Sequence, residues 1–300
     1  MVGTRAVVDY PPLHDSARAI ADQSDEERIN YIRADRWIGY PRAVEAVNKL
    51  EELVAWPKKQ RMPNLALIGP TNIGKSMIVE QFSRRHRGVS GPDHEIVDLL
   101  TIQMPAIPTV SRFSAEVLDT LNAPFRRTSS RADLERTAIA GLEQADVSIL
   151  IIDEFHNTLA APTAARAEML GLFRYLGNKL KIPLVAVGTK EVSLVLRADP
   201  QLENRFEPFI LPAWTMSRDY LALIASFVSM LPLRSPSEIV NDEMGRYLLA
   251  RSEGTTGELC QLLVSAAIVA IATGEERLSS RTLAASTYQG PSVRRQQFER

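Results

Sequence analysis

The residues with the strongest chemical signature form one run, Gly69-Pro70-Thr71-Asn72-Ile73-Gly74-Lys75-Ser76. Glycines at its first and sixth positions let backbone N–H groups turn toward an anion, while Lys75 and Ser76 add a cation and a hydroxyl. The run lies between the apolar segment Leu65-Ala66-Leu67-Ile68 and an amphipathic stretch that opens near Lys75. A strand feeding a helix N-terminus gathers partial positive charge, which is the setting this pattern needs to cradle phosphates. It reads as a P-loop and predicts ATP and Mg²⁺ as cofactors. Lys75 is expected on the β/γ-phosphates and Ser76 on the metal, with Met77 continuing the nucleotide-binding run. A second segment, Ser148-Ile149-Leu150-Ile151-Ile152-Asp153-Glu154, is an apolar strand ending in two acids, the Walker B pattern. Asp153 is expected to hold Mg²⁺ together with Ser76, and Glu154 to polarise an attacking water. Such acids carry this meaning only because the P-loop precedes them.

Leu184-Val185-Ala186-Val187-Gly188-Thr189 is a further apolar strand ending in a small polar residue, and Glu203-Asn204-Arg205-Phe206 follows it. This order of motifs resembles AAA+ proteins. The resemblance implies that the 184–189 strand lies between the P-loop strand and the Asp153 strand, with Thr189 as a sensor 1 group toward the γ-phosphate. It also implies that Arg205 is an arginine finger for a neighbouring subunit's nucleotide. Simpler readings stand beside these: Thr189 as the N-cap of the next helix, Arg205 as half of an internal salt bridge. Near the C-terminus, Gly254-Thr255-Thr256-Gly257-Glu258 places an acid where such proteins often carry a sensor 2 arginine. That departure points to slow turnover.

Net charge is −1, so any nucleic-acid contact must come from a local basic surface. Arg126, Arg127 and Thr128, with Arg131 and Arg112 nearby, are the DNA-binding candidates; Asp133 and Glu135 nearly balance them, which suits a solvated loop as well. Arg84-Arg85-His86-Arg87 is a longer run, but it ends a helix, where cations complement the dipole. His156 has no second His or Cys at metal-ligand spacing, so no zinc site is expected. Ile38 and Tyr40, beside Trp37, suit either an adenine pocket or a core.

These motifs need an α/β scaffold. Buried-strand candidates are 65–68, 96–102, 148–152, 183–187 and 209–211, alternating with helices near 76–86, 112–122, 131–145, 163–180 and 190–197. Continuously apolar strands separated by helices predict a parallel sheet covered on both faces. Before it, Ser24 with Glu27 marks a capping box, and Val44, Val47, Leu50 and Val54 mark a helix over 42–56. After it, helices are expected near 217–230, 237–250, 257–272 and 279–285. The expected organisation is a flexible arm over 1–23, a helical lead-in over 24–63, and a nucleotide-binding domain over 64–214. A helical lid over 215–288 and a basic tail over 289–300 complete it. Cys260 is the sole cysteine, which excludes an internal disulfide, and the longest apolar run is too short for a membrane span. A soluble, cytoplasmic protein is expected.

The chain resembles the TniB family of AAA+ ATP-binding transposition proteins, found in Tn5053/Tn402-type transposons and related to TnsC and MuB. The resemblance covers about 24–285. It is carried by Asp25-Glu26-Glu27-Arg28-Ile29, Trp37-Ile38-Gly39-Tyr40-Pro41-Arg42-Ala43 and Arg61-Met62-Pro63-Asn64 leading into the P-loop, and by Ile151-Ile152-Asp153-Glu154-Phe155-His156. It implies a P-loop NTPase fold of AAA+ type with a small C-terminal helical lid. It also implies an ATP-dependent regulator that assembles on double-stranded target DNA as a homo-oligomer or filament. Its partners would be a DDE transposase (TniA-like) and a targeting factor (TniQ-like). Rival readings are a helicase loader similar to IstB or DnaC, and a signalling NTPase that never touches DNA.

Overall fold

The structure is a computed structural model that describes residues 12–86 and 99–299. Arg87 and the start of the 96–102 strand candidate lie outside the described residues. The chain divides into two compact units, Arg42–Pro212 and Met1–Pro41 with Ala213–Arg300.

The first of these is built on a five-stranded parallel sheet: β1 Asn64–Ile68, β2 Leu99–Gln103, β3 Ile149–Asp153, β4 Leu184–Gly188 and β5 Phe206–Ile210. Spatial order is β2-β3-β4-β1-β5, so β4 does lie between the P-loop strand and the Asp153 strand. Every residue of β1 and β4 is buried, whereas the edge strands β2 and β5 are buried at only two positions each. This difference follows from position: a central strand is covered on both faces and an edge strand only in part. On one face Ala66, Ile68, Ile102, Leu150, Ile152 and Ala186 pack into a single core with the helices α5 Val110–Thr120, α6 Arg131–Gln144 and α7 Thr163–Leu180. Leu65, Leu67, Ile149, Ile151, Val185 and Val187 are buried on the other. The remaining helices of this unit are α3 Pro41–Ala55, α4 Lys75–Arg85, α8 Val192–Arg197 and α9 Pro200–Glu203.

Two local expectations shift. α3 buries Ala43, Ala46, Val47, Leu50 and Leu53, leaving Val44 exposed, so its inward face is rotated toward the small alanines. β5 opens three residues before the expected 209, because Asn64 N–H donates to Arg205 O and starts the ladder there.

The second unit is helical: α1 Asp15–Ala21, α2 Asp25–Arg33, α10 Arg218–Ser229, α11 Asp242–Ser252, α12 Thr256–Ala272, α13 Ser280–Ala285 and α14 Pro291–Phe298. The capping box of α2 is formed, with Ser24 N–H donating to Glu27 and Glu27 N–H to Ser24 Oγ. Of the expected 1–23 arm, residues 1–11 lie outside the described residues and 12–23 carry α1, while α2 belongs with the C-terminal helices instead of a separate lead-in. Fully buried Arg28 explains that grouping: it donates to Pro232 O at 2.8 and 3.1 Å and to both Glu276 oxygens. The basic tail is likewise a helix, α14, pinned by Arg294 on Glu258 and Arg295 on Glu253. Among the described residues no single helix is long and apolar enough to cross a membrane.

Candidate nucleotide site

The P-loop leaves β1 at Ile68 and enters α4 at Lys75. Gly74 has φ 103°, a left-handed conformation that costs an L side chain far more than glycine. Ile73 is buried and anchors the loop, while Thr71 and Asn72 are exposed at its turn. The first N–H of the loop, on Gly69, donates to Gly188 O at the end of β4. Lys75 is almost fully buried, and its ammonium donates to Gly69 O at 2.8 Å and Pro70 O at 2.7 Å. Burial pushes the Lys75 amine below its ordinary value, against the opposing pull of the Glu154 and Asp153 charges. The ammonium, both acids and the loop therefore share one electrostatic environment at the C-terminal ends of β1 and β3.

Ser76 Oγ lies 3.3 Å from Asp153 Oδ2. The sequence separates these residues by 77 positions, and the sheet brings them together. A hydroxyl and a carboxylate at that spacing are hard oxygen donors suited to Mg²⁺. A P-loop whose lysine, serine and acid converge fits a nucleoside triphosphate with its metal, which would supply neutralising charge on the phosphate oxygens. Met77 follows in the first turn of α4 and is half-buried.

Glu154 sits where β3 turns into a 3₁₀ segment, Phe155–Ala160, with φ 53° and ψ 34°. Phe155 fixes that turn, because its ring is buried against Phe173 at 5.3 Å. Glu154 N–H donates to Asp153 Oδ1, and Asn157 donates to Met104 O, tying the turn to the end of β2. With Phe155 inside, Glu154 is left half-exposed at the strand end.

Thr189 follows β4, and its hydroxyl donates to the Glu191 carboxylate. It does not cap α8, whose N-cap is Glu191, so the N-cap alternative is not the arrangement found. Arg205 donates to Asn178 Oδ1 at 2.8 Å, a neutral partner where a salt bridge was the simpler expectation. Its carbonyl joins the N-terminal end of β1, whereas the P-loop leaves the C-terminal end. Four residues at about 3.3 Å each put about 13 Å of strand between them, so Arg205 stands away from its own chain's phosphate site.

Ile38 and Tyr40 are buried in the helical unit, Tyr40 edge-on to Trp214 at 5.0 Å, while the P-loop belongs to the α/β unit. Burial of both and the Tyr40–Trp214 ring contact suit core residues. Glu258, at the apparent sensor 2 position, is buried and accepts hydrogen bonds from Tyr288 and Arg294.

The basic candidates separate. Arg126, Arg127 and Thr128 are exposed together on the loop between α5 and α6. Arg127 pairs with Asp119 and Arg131 with Glu168, while Arg126 has no ion pair among the described residues. Asp133, expected to balance this loop, is engaged by Arg136 and Ser130 instead. Arg112 lies in the first turn of α5, donating to Ile107 O, at the opposite end of that helix from the loop. Arg84 pairs with Glu80, and Arg85 and His86 with Glu51, so the described part of that run is internally neutralised. The residue that pattern reading passed over is His156, whose ring stands beside Glu154; considered only as a metal ligand, it gave no signal.

The fold is that of AAA+ P-loop ATPases. The Aeropyrum pernix ORC1 protein in complex with DNA matches with a TM-score of 0.62 at 16% identity, over 86% of this chain and 68% of that one. Cdc6p from Pyrobaculum aerophilum matches at 0.61 and 15%, over 84% and 68%. Drosophila ORC bound to DNA matches at 0.57 and 12%, over 95% and 69%. Among curated proteins, GTPase Der of Lachnospira eligens is 33% identical over 137 residues. That match takes in 39% of this chain and 29% of the relative, so the chain spans less than a third of it. The model of the family described as "Bacterial TniB protein" matches residues 28–216, from α2 through the whole sheet. With the P-loop, the paired Ser76 and Asp153 and the AAA+ strand order all inside that span, the chain belongs to the TniB family.

Proposed function

We propose that this chain is an ATP-dependent DNA-binding regulator of transposition, assembling on duplex target DNA and recruiting a DDE transposase. The observation that carries the nucleotide half is the 3.3 Å approach of Ser76 to Asp153 beside a buried Lys75, within a family of transposition proteins. Lys75 binds and orients the phosphates, Asp153 and Ser76 hold the metal, and Glu154 takes a proton from the attacking water. Thr189, as the sensor 1 group, exchanges its bond to Glu191 for the γ-phosphate. Arg205 stands at the opposite end of β1 from its own phosphate site and acts on a neighbour's, which makes the active species an oligomer. Arg126 and Arg127 supply phosphate contacts that repeat along a filament, so weak individual contacts sum through assembly. Two solved relatives of this fold are described as bound to DNA, which favours the DNA role over a purely signalling one. Hydrolysis is slow, consistent with an acid at position 258, and releases the assembly. Communication with a TniQ-like targeting factor is part of the same reading.

The test is sedimentation of the wild type and Glu154→Gln with ATP, with GTP and without nucleotide, each with and without duplex DNA. The wild type is expected to assemble with ATP and DNA together. Glu154→Gln keeps shape and hydrogen bonding while losing the charge, so it should bind ATP, fail to hydrolyse it and leave DNA more slowly. Indifference to DNA would sink the transposition role. An equal response to GTP, the nucleotide of the Der relative, would overturn the choice of ATP.

A further inference from the structure

Glu154, His156, Gly188, Thr189 and Glu191 gather at the C-terminal ends of β3 and β4, and the nucleotide motifs account for only Glu154 and Thr189. His156 Nε2 lies 3.2 Å from Glu154 Oε2. The other ring nitrogen, Nδ1, is buried with no hydrogen-bond partner. The ring lies over the last residue of β4: a Cβ built on Gly188 would come within 2.8 Å of Nδ1. Just beyond, Glu191 carries a carboxyl held below its ordinary value, first by the Thr189 hydroxyl and more weakly by Lys190 and His156. The imidazole therefore stands between the acid after β3 and the polar turn after β4.

A packing role does not explain this arrangement. An apolar side chain of similar size would fill the same space without burying an unsatisfied ring nitrogen. Glu154 also holds a left-handed backbone conformation that an ordinary residue avoids, and such outliers cluster where a side chain must be aimed. Its carboxylate is close enough to Lys75 to oppose the lowering of that amine by burial. Glu154 thus lies within reach of the P-loop cation's charge and in contact with His156.

We propose that His156 is a positioning residue for Glu154, its Nε2 edge, 3.2 Å from Oε2, closing on the carboxylate to hold it at the end of β3 in the orientation that faces the P-loop. A base oriented by a third group is the logic of catalytic triads, here joining an acid and an imidazole two residues apart on a rigid 3₁₀ turn. Because the ring rests on Gly188, the same contact ties the aim of the base to the end of the Thr189 strand. This rests on the ATPase reading above.

The experiment measures steady-state ATP turnover with duplex DNA, and affinity for a fluorescent ATP analogue, on the full chain and its His156→Ala and His156→Gln variants. In His156→Ala, kcat should fall by about tenfold or more while nucleotide affinity stays within about threefold. His156→Gln keeps an N–H donor near the Nε2 position and should recover most of the turnover. Wild-type kcat in His156→Ala would overturn the proposal, as would equal losses in both variants, or parallel losses of turnover and affinity. Absence of turnover in the wild type would remove the ATPase reading itself, and the proposal with it. Turnover in the wild type that His156→Ala leaves intact would remove only the role of His156.

Discussion

At the scale of single residues, Lys75 holds the least replaceable position. Its ammonium is buried between two carbonyls of its own loop, so it anchors the loop's shape. Lys75→Ala removes both the phosphate-binding cation and two hydrogen bonds that fold the P-loop over it. ATP affinity and nucleotide-dependent DNA binding should be lost, with the α/β core intact because the strand residues beneath are untouched. Equilibrium binding of a fluorescent ATP analogue, with circular dichroism as the control for folding, checks this; full ATP-dependent DNA binding in the variant would refute the site. The residues of this loop were legible because their spacing is itself the chemistry. Arg205 and Thr189 could be located from their motifs, but not their partners. Asn178 and Glu191 engage them through tertiary geometry and side-chain choice that no local pattern encodes.

At the scale of elements, the sheet aligns the ends of β1, β3 and β4, and close backbone approach at those ends sets the site's tolerance. Gly188 is the tightest point: an added Cβ would meet both His156 and Val192 at 2.8 Å. Val192 is fully buried on α8 and cannot retreat, and His156 can move only by leaving Glu154. Gly188→Ala should therefore destabilise the α/β unit by about 1–3 kcal/mol, the usual cost of overpacking a close-packed core. Urea unfolding of wild type and variant measures it; unchanged stability would mean that the 3₁₀ turn yields freely. Continuous apolar strands and the capping box at Ser24 were readable because burial and local hydrogen bonding follow short sequence periods. The inward face of α3 is not legible in the same way, because small alanines fill the tight contact while the larger Val44 is exposed. The polar residues of α14 predict a tail, and it is Glu253, the C-cap of α11, and Glu258 on α12 that pin its arginines.

At the scale of the whole molecule, a chain of net charge −1 can engage the proposed DNA partner only through local cations. Its field is too weak to gather DNA, so binding must come from a few local cations repeated by assembly. Arg126 and Arg127 are the strongest candidates, since they share one exposed loop and Arg126 has no acid partner among the described residues. Arg127 must exchange Asp119 for a phosphate, which makes its net contribution smaller than that of Arg126. Replacing both with Ala removes up to two phosphate contacts per subunit, and a filament repeats that loss along the duplex. Cooperative DNA binding should collapse, and the salt slope should fall by up to about two per subunit, because fewer counterions are released. ATP affinity should hold, because the loop joins α5 to α6 and carries none of the P-loop or β3 acids. Paired titrations with an ATP analogue and duplex DNA, at two or more salt concentrations, read all three quantities. DNA binding with an unchanged salt slope would return these arginines to an ordinary solvated loop and shift the search to other exposed cations. Loss of ATP affinity together with DNA binding would instead show that the loop supports the fold of the nucleotide site, which its separation from the P-loop in the sheet order argues against.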